Sequence, residues 1–408
     1  MNIIQEIDRI SELFKEDVIK WRREFHKYPE LSNQEKQTSL RIQKILKSFN
    51  IKFSTAAQTG VIAEIPGGKK ILGIRADMDA LPVKEETGLD FASENQGIMH
   101  ACGHDAHMAI ALGVMAVFSK IKNLPFSLRA IFQPAEESFP CGAPRMIEEG
   151  ALMGMKYLIG FHVWPSLKTG TFSVIKGPVM ASADRFSIQI KGKGGHGASP
   201  HKAIDSIVAS AHFISELQTI VSRRSDPQNP LVISVGRISG GDAFNVIPEQ
   251  VEILGTVRTF DQKQNILAEK NIKEILKGIE TSFRVKTYLK YEEFVPSTYN
   301  DPSLSEKVID ILLSYFGKKS VITDEKPTMG SEDFSFYSRI IPCCYINIGC
   351  GKSEYFNHSS RFTINEECLD SGIKAISKIL WEIGSTESYP VSFCRRRKQD
   401  KMGKKNLP

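Results

Sequence analysis

His100-Ala101-Cys102-Gly103-His104-Asp105-Ala106-His107 is the stretch on which the reading of this chain turns. It gathers three of the nine histidines, a cysteine and an aspartate into one short segment. Imidazole, thiolate and carboxylate are the groups that hold borderline divalent metals such as zinc, manganese, cobalt or nickel. An uncharged, mostly apolar run from Met108 to Phe118 follows at once. Such a run predicts a buried helix over about 105–121, which sets the cluster at the mouth of the core. The plainer reading makes Asp105 a helix cap and Cys102 an ordinary buried thiol. The rest of the chain argues against it.

Upstream, residues 5–28 carry helical apolar spacing through Ile7, Ile10, Phe14, Val18, Trp21 and Phe25, and 35–49 does the same. Short apolar runs then alternate with helical segments. Val61–Ile65 meets Pro66-Gly67-Gly68, and Ile71–Ile74 runs into Arg75-Ala76-Asp77-Met78-Asp79. Leu128–Phe132 runs into Gln133-Pro134-Ala135-Glu136-Glu137, and Tyr157–Phe161 into His162. This alternation predicts an α/β domain with a mostly parallel sheet. Asp77, Asp79, Glu136, Glu137 and His162 are each expected just past a strand's C-terminal end, the edge where open α/β sheets bind ligands.

A second pattern starts near 184, where Phe186, Ile188 and Ile190 alternate with polar residues. A glycine-rich loop over 192–197, a helix at 203–222, strands at 232–235 and 251–257, a helix at 262–280 and a strand at 283–291 complete an α+β module. Helices return at 302–317 and 366–383 with a strand near 344–348 between them. The expected organisation is a catalytic domain in two parts, 1–178 and 295–385, around an insert at 179–294, with a basic, disordered tail at 386–408.

At 408 residues the chain exceeds one typical domain. Its 41% hydrophobic and 25% charged residues fit a globular protein, and the lack of a long apolar stretch argues against a membrane span. The acidic start, with Glu6, Asp8, Glu12, Glu16 and Asp17, does not read as an export signal. Seven cysteines with no framework spacing fit a reducing cytoplasm. The net charge of +6 comes wholly from the tail, where seven arginines and lysines between 395 and 405 face only Asp400. The body is neutral, so neither nucleic acid nor membrane is an expected partner.

Cys102 and His104, two apart, face the same way in extended chain and reach one metal centre. Glu136 and Glu137, adjacent, point apart, so one can ligate while the other stands free as a base. That division suits metal-assisted hydrolysis, in which a metal lowers the pKa of water from 15.7 to about 7 and a carboxylate takes the proton.

The chain resembles the M20 family of metallopeptidases, and within it the branch of N-acyl-amino-acid amidohydrolases, hippurate hydrolases and plant auxin-conjugate hydrolases. The resemblance runs from about Trp21 to Gly372 and rests on RREFHKYPE at 22–30, GIRADMDALP at 73–82, MHACGHDAH at 99–107, FQPAEE at 132–137, GFHVWP at 160–165, GKGGHGASPH at 192–201, NVIP at 245–248, GTVRTF at 255–260 and MGSEDFSFY at 329–337. It implies two divalent metal ions per subunit, manganese or zinc first and cobalt or nickel next. Their ligands would be Cys102, His104, Glu137, His162 and His358, with Cys102 bridging. It implies Glu136 as general base and then acid, Asp79 as an orienting carboxylate, and Asp77 and Asp105 as supports behind the ligands. The insert would be a ferredoxin-like lid and dimerisation domain. From it His196 would donate to the oxyanion, often in the partner subunit's site, and Asn245 would meet the polar end of the substrate.

The resulting expectation is a cytoplasmic homodimer or higher homo-oligomer that hydrolyses N-acyl-L-amino acids carrying N-acetyl, N-benzoyl or related groups. The alternatives are a dipeptidase or carboxypeptidase of the same family, and a catalytically silent binding protein on the same fold. The complete set of ligands and base argues against the last.

Overall fold

The computed structural model describes residues 2–386, so the expected basic tail lies outside the described residues. The chain opens with helices α1 (Ile3–Lys27) and α2 (Lys36–Ser48) and strands β1 (Lys52–Ala56), β2 (Gly60–Ile65) and β3 (Ile71–Asp77). Helix α3 (His104–Lys120), β4 (Ser127–Gln133), α4 (Gly142–Glu148), β5 (Met155–Trp164), β6 (Phe172–Ser173) and β7 (Gly177–Met180) follow. Next come β8 (Ala183–Lys191), β9 (Gly195–His196), α5 (Ser206–Thr219), β10 (Leu231–Ser239), β11 (Val246–Ile247), β12 (Gln250–Thr259), α6 (Gln262–Phe283) and β13 (Lys286–Val295). The chain closes through β14 (Thr298–Asn300), α7 (Pro302–Phe316), β15 (Val321–Ile322), α8 (Ser335–Ser338), β16 (Cys343–Gly349) and α9 (Glu367–Ser385).

The large sheet runs β1-β2-β4-β3-β5-β16-β6-β15. Its four central strands, β4, β3, β5 and β16, are mutually parallel, and antiparallel neighbours flank them. The uncharged run becomes α3, buried from His104 to Phe118 because α1, α9 and the sheet enclose it. Removing so much apolar surface from water, at roughly 25 cal/mol per Å², makes this packing the main driving force of the domain. A smaller core on the opposite face of the sheet joins Leu158, Phe334, Tyr337 and Tyr345.

The module near 184 forms its own antiparallel sheet, β10-β12-β8-β13, with α5 and α6 packed on it. Its core, including Phe186, Phe213, Leu217, Ile253 and Ile272, is separate from that of the large sheet. Ala183 at the start of β8 pairs with Val295 at the end of β13.

Two expectations about strand ends are corrected. His162 lies inside β5, not beyond it, because β16 continues the ladder, pairing Asn347 with His162 and Gly349 with Trp164. Asp77 is the last residue of β3, held there by pairing with Gln133. The edge strand β1 was not anticipated. Its sequence, Lys-Phe-Ser-Thr-Ala, has little apolar alternation because most of it is exposed. No disulfide joins the described cysteines, all of which are buried, and no described helix is long and apolar enough to cross a membrane.

Candidate metal centre

Gly103 turns the chain into α3 with φ of 87°, a conformation that glycine adopts without strain. An added Cβ would lie 2.3 Å from Cγ2 of Val163. Behind this turn the histidines are fixed by their second nitrogens. His104 Nδ1 donates to the Asp79 carbonyl at 2.9 Å, and His162 Nδ1 to the Val163 carbonyl at 2.7 Å. Each imidazole therefore turns Nε2 outward with a free lone pair, as metal-binding histidines do. The His162 Nε2 lies 3.4 Å from the Cys102 sulfur.

Cys102, His104 and His162 form one group of ligand atoms within 4.8 Å of one another, and Cys102, Glu137 and His358 form a second. A third joins His104, Glu136 and Glu137. Cys102 belongs to two of these groups, so one thiolate reaches both sets. His358 comes from a loop far along the chain and has φ of 71°, unusual for a side chain with a Cβ. Its backbone N–H donates to the Ala101 carbonyl at 2.7 Å, which pins the loop to the cysteine segment. Ala135, just before the glutamate pair, also has positive φ, at 53°. Such strain collects at functional sites that the surrounding fold holds in place.

The donor set fits divalent metal: three imidazoles, a thiolate and a carboxylate converge, and Glu137 Oε1 is buried without a hydrogen-bond partner. His107 also lies close, but both its nitrogens are engaged. Nδ1 bonds Asp77 at 2.6 Å, and Nε2 accepts from the Val163 N–H at 2.9 Å. Asp77 and His107 thus bind each other directly behind His104 and His162. Asp79 accepts from Ser32 at 2.6 Å and from the Glu137 N–H at 3.0 Å, joining the glutamate loop to the segment that orients His104. Asp105 does not stand behind a ligand as expected. Helix α3 turns it toward α1, where Arg22 at 2.7 Å and His26 at 2.9 Å bind it.

Glu136 shares the His104 group with Glu137 and also faces Glu332 and Asp333. Although partly exposed, its carboxyl is pushed well above the usual range, by burial first and then by Glu332 and Glu137. Fully buried Arg75 gathers the acids beneath it. It bonds Asp77 at 2.6 Å, Asp333 at 2.7 Å and Glu332 at 2.9 Å, and Gln133 at 2.9 Å. Tyr345 donates to Glu332 at 2.6 Å. Sequence reasoning missed Arg75, Gln133, Glu332 and Asp333. An arginine inside an apolar strand was the available signal, since a buried charge demands partners. Asn357, which donates to the Cys102 sulfur at 3.3 Å, was missed too.

His196 and Asn245 are not brought to this cluster. Both are exposed on the smaller unit, where His196 pairs with Val246 and the Asn245 carbonyl accepts from the Gly197 N–H.

Fold and site define a metal-site α/β protein whose ligands converge at the ends of a parallel sheet. Residues 73–382 match the model of peptidase family M20/M25/M40, and the chain belongs to that family. It is 46% identical over 279 residues to an N-acyl-L-amino acid amidohydrolase of Geobacillus stearothermophilus, covering 67% of this chain and 75% of the relative. It is 36% identical over 386 residues to thermostable carboxypeptidase 1 of Saccharolobus solfataricus, covering 92% and 97%. Among solved structures it resembles a Bacillus subtilis protein described as a dinuclear metal binding peptidase from the M20 family. The TM-score is 0.80 at 35% identity, covering 91% of this chain and 99% of the other.

Proposed function

We propose that this chain is a metal-dependent amidohydrolase that cleaves the amide bond of N-acyl-L-amino acids to a carboxylic acid and a free amino acid. The carrying observation is the division of labour between adjacent glutamates. Glu137 turns to Cys102 and His358, while Glu136 stands beside His104, facing Glu332 and Asp333. Cys102, His104, Glu137, His162 and His358 would hold two divalent ions, manganese or zinc first, with Cys102 shared. When bound, such ions polarise a carbonyl and make water nucleophilic near neutral pH.

The chain's own residues supply the rest. Glu136 takes the proton of the attacking water and passes it to the leaving amine. Asp79 fixes His104 and the glutamate loop in mutual register. His196 is the donor to the developing oxyanion, and Asn245 meets the substrate's carboxylate. Because both lie on the smaller unit, away from the cluster of their own chain, the reading includes a homodimer in which the partner subunit's His196 serves the site. Exposed Ile207, Val208, Ile238, Phe244 and Val246 on that unit give it an apolar surface suited to a second copy.

The test is free-amine release by chelator-stripped protein, with and without Mn2+, Zn2+, Co2+ or Ni2+, from N-acetyl and N-benzoyl amino acids and from dipeptides. Metal-dependent release from the acylated set is expected. Release from peptides alone would move the chain to the carboxypeptidase reading, which the likeness to the S. solfataricus enzyme over nearly the whole chain favours as the second choice.

A further inference from the structure

A recess of about 120 Å³ opens on the sheet face that carries the metal-site histidine of β5. Trp164 and Met180 supply apolar wall, Asn347 and Thr328 polar wall, and Glu325 and Lys326 a pair of cancelling charges. It lies beside the metal centre. The Trp164 ring is 5.6 Å from the His162 ring, and Asn347 is the direct register partner of His162 on β16.

Its polar atoms lack partners. Asn347 is 6% exposed, and its Oδ1 has no hydrogen-bond partner among the described residues. The same holds for Oγ1 of Thr328. Buried polar atoms are satisfied in more than about nine cases of ten, so two open ones on the wall of one recess call for a partner. The charges of Glu325 and Lys326 offset each other, so the recess has no net charge to attract an ion. Its size sets a ceiling as well, since a cavity of about 150 Å³ is filled by one benzene.

We propose that this recess is the specificity pocket of the enzyme and that it receives a short, uncharged polar group, a hydroxyl or carboxamide on a stem of one or two carbons. The proposal rests on the amidohydrolase reading and names the substrate class within it. An amide or hydroxyl both donates and accepts, and so it matches the amide of Asn347 and the hydroxyl of Thr328. A methyl-ended group of the same shape would leave them unpaired. The group can belong to the amino acid or to the acyl moiety, because the same chemistry serves either.

Isosteric pairs separate the two sources. With metal-loaded enzyme, kcat/KM is measured for N-acetyl-asparagine against N-acetyl-leucine, for N-acetyl-threonine against N-acetyl-valine, and for N-glycolyl- against N-propionyl-alanine. The polar member should lead by about tenfold or more in the arm that enters the recess, in line with sites built around a hydrogen bond. Asn347→Leu should collapse that ratio by at least about tenfold. Thr328→Val should lower it in the same sense, and it carries the test alone if Asn347→Leu does not fold. Ratios near one in every arm, or ratios that neither variant moves, would mean that only water fills the recess and would overturn the proposal alone. No turnover of any of these compounds would overturn the amidohydrolase reading and this pocket with it.

Discussion

The Nε2 of His358 and the Oε1 of Glu137 approach to 3.0 Å, yet no aligned hydrogen bond joins them. Two groups that could pair and instead point past each other are aimed at a common third point. In the metal-free chain the imidazole is held up to about 10, by Cys102 first and then by Glu137. Metal binding must therefore displace a proton that this histidine holds tightly. Calorimetric titration with Zn2+ at pH 7 in buffers of different ionisation enthalpy should show net proton release and tighter binding as pH rises. Binding that ignores pH would remove His358 from the ligands.

Cys102 is shared by two of the candidate ligand groups. Cys102→Ala should lose metal, measured as stoichiometry after dialysis, and activity with it. A full complement of metal in this variant would exclude the cysteine from the centre.

Glu136 has the opposite signature. Glu136→Gln should keep fold and metal while turnover falls by about 10³-fold or more, the weight of a base acting in one unit with the site. Retained activity would assign the proton transfer elsewhere.

Mixed subunits test the placement of His196. Glu136→Gln and His196→Ala proteins should each be nearly inactive. If the partner's His196 serves the site, unfolding and refolding them together should create hybrids with one intact site and recover up to about a quarter of wild-type activity. No recovery would confine each His196 to its own chain.

Asp105 holds α3 to α1 through Arg22 and His26. Burial pushes its carboxyl up, but Arg22 and then His26 outweigh that and keep it far below the usual range. A depressed carboxylate contributes stability that is present above its unfolded pKa of about 3.9 and lost as pH falls below it. Asp105→Asn removes the nearer of two carboxylates on buried Arg22, leaving Glu366 at 3.2 Å, and should cost about 1.5–3 kcal/mol at pH 7, the weight of a hydrogen bond to a charged group. The gap in melting temperature between wild type and variant, both in chelator, should narrow below about pH 4.

Much of this was legible in the chain. Period and punctuation placed α3, β3, β4 and β5, because a half-buried element repeats its apolar residues in step with its geometry. Cys102 and His104 could be read locally, being neighbours in sequence. His358 could not, since a loop histidine carries no periodic signal and only the resemblance selected it. The acids around Arg75 were hidden for a related reason. Their meaning lies in contacts between Arg75 on β3 and Glu332 and Asp333, hundreds of residues apart. Asp105 misled because adjacency to His104 on a helix turns the two side chains about 100° apart.

The pairing of Ala183 with Val295 has a consequence for how such a molecule changes over generations. The smaller unit leaves the main chain and returns to it at neighbouring points, so a short turn would close the gap if the whole unit were cut away. Its own core is built from its own residues. A part with a private interior and adjoining ends can be lengthened, reshaped or exchanged while the sheet that holds the metal site stays unaltered. New substrates can then be explored at little risk to the chemistry.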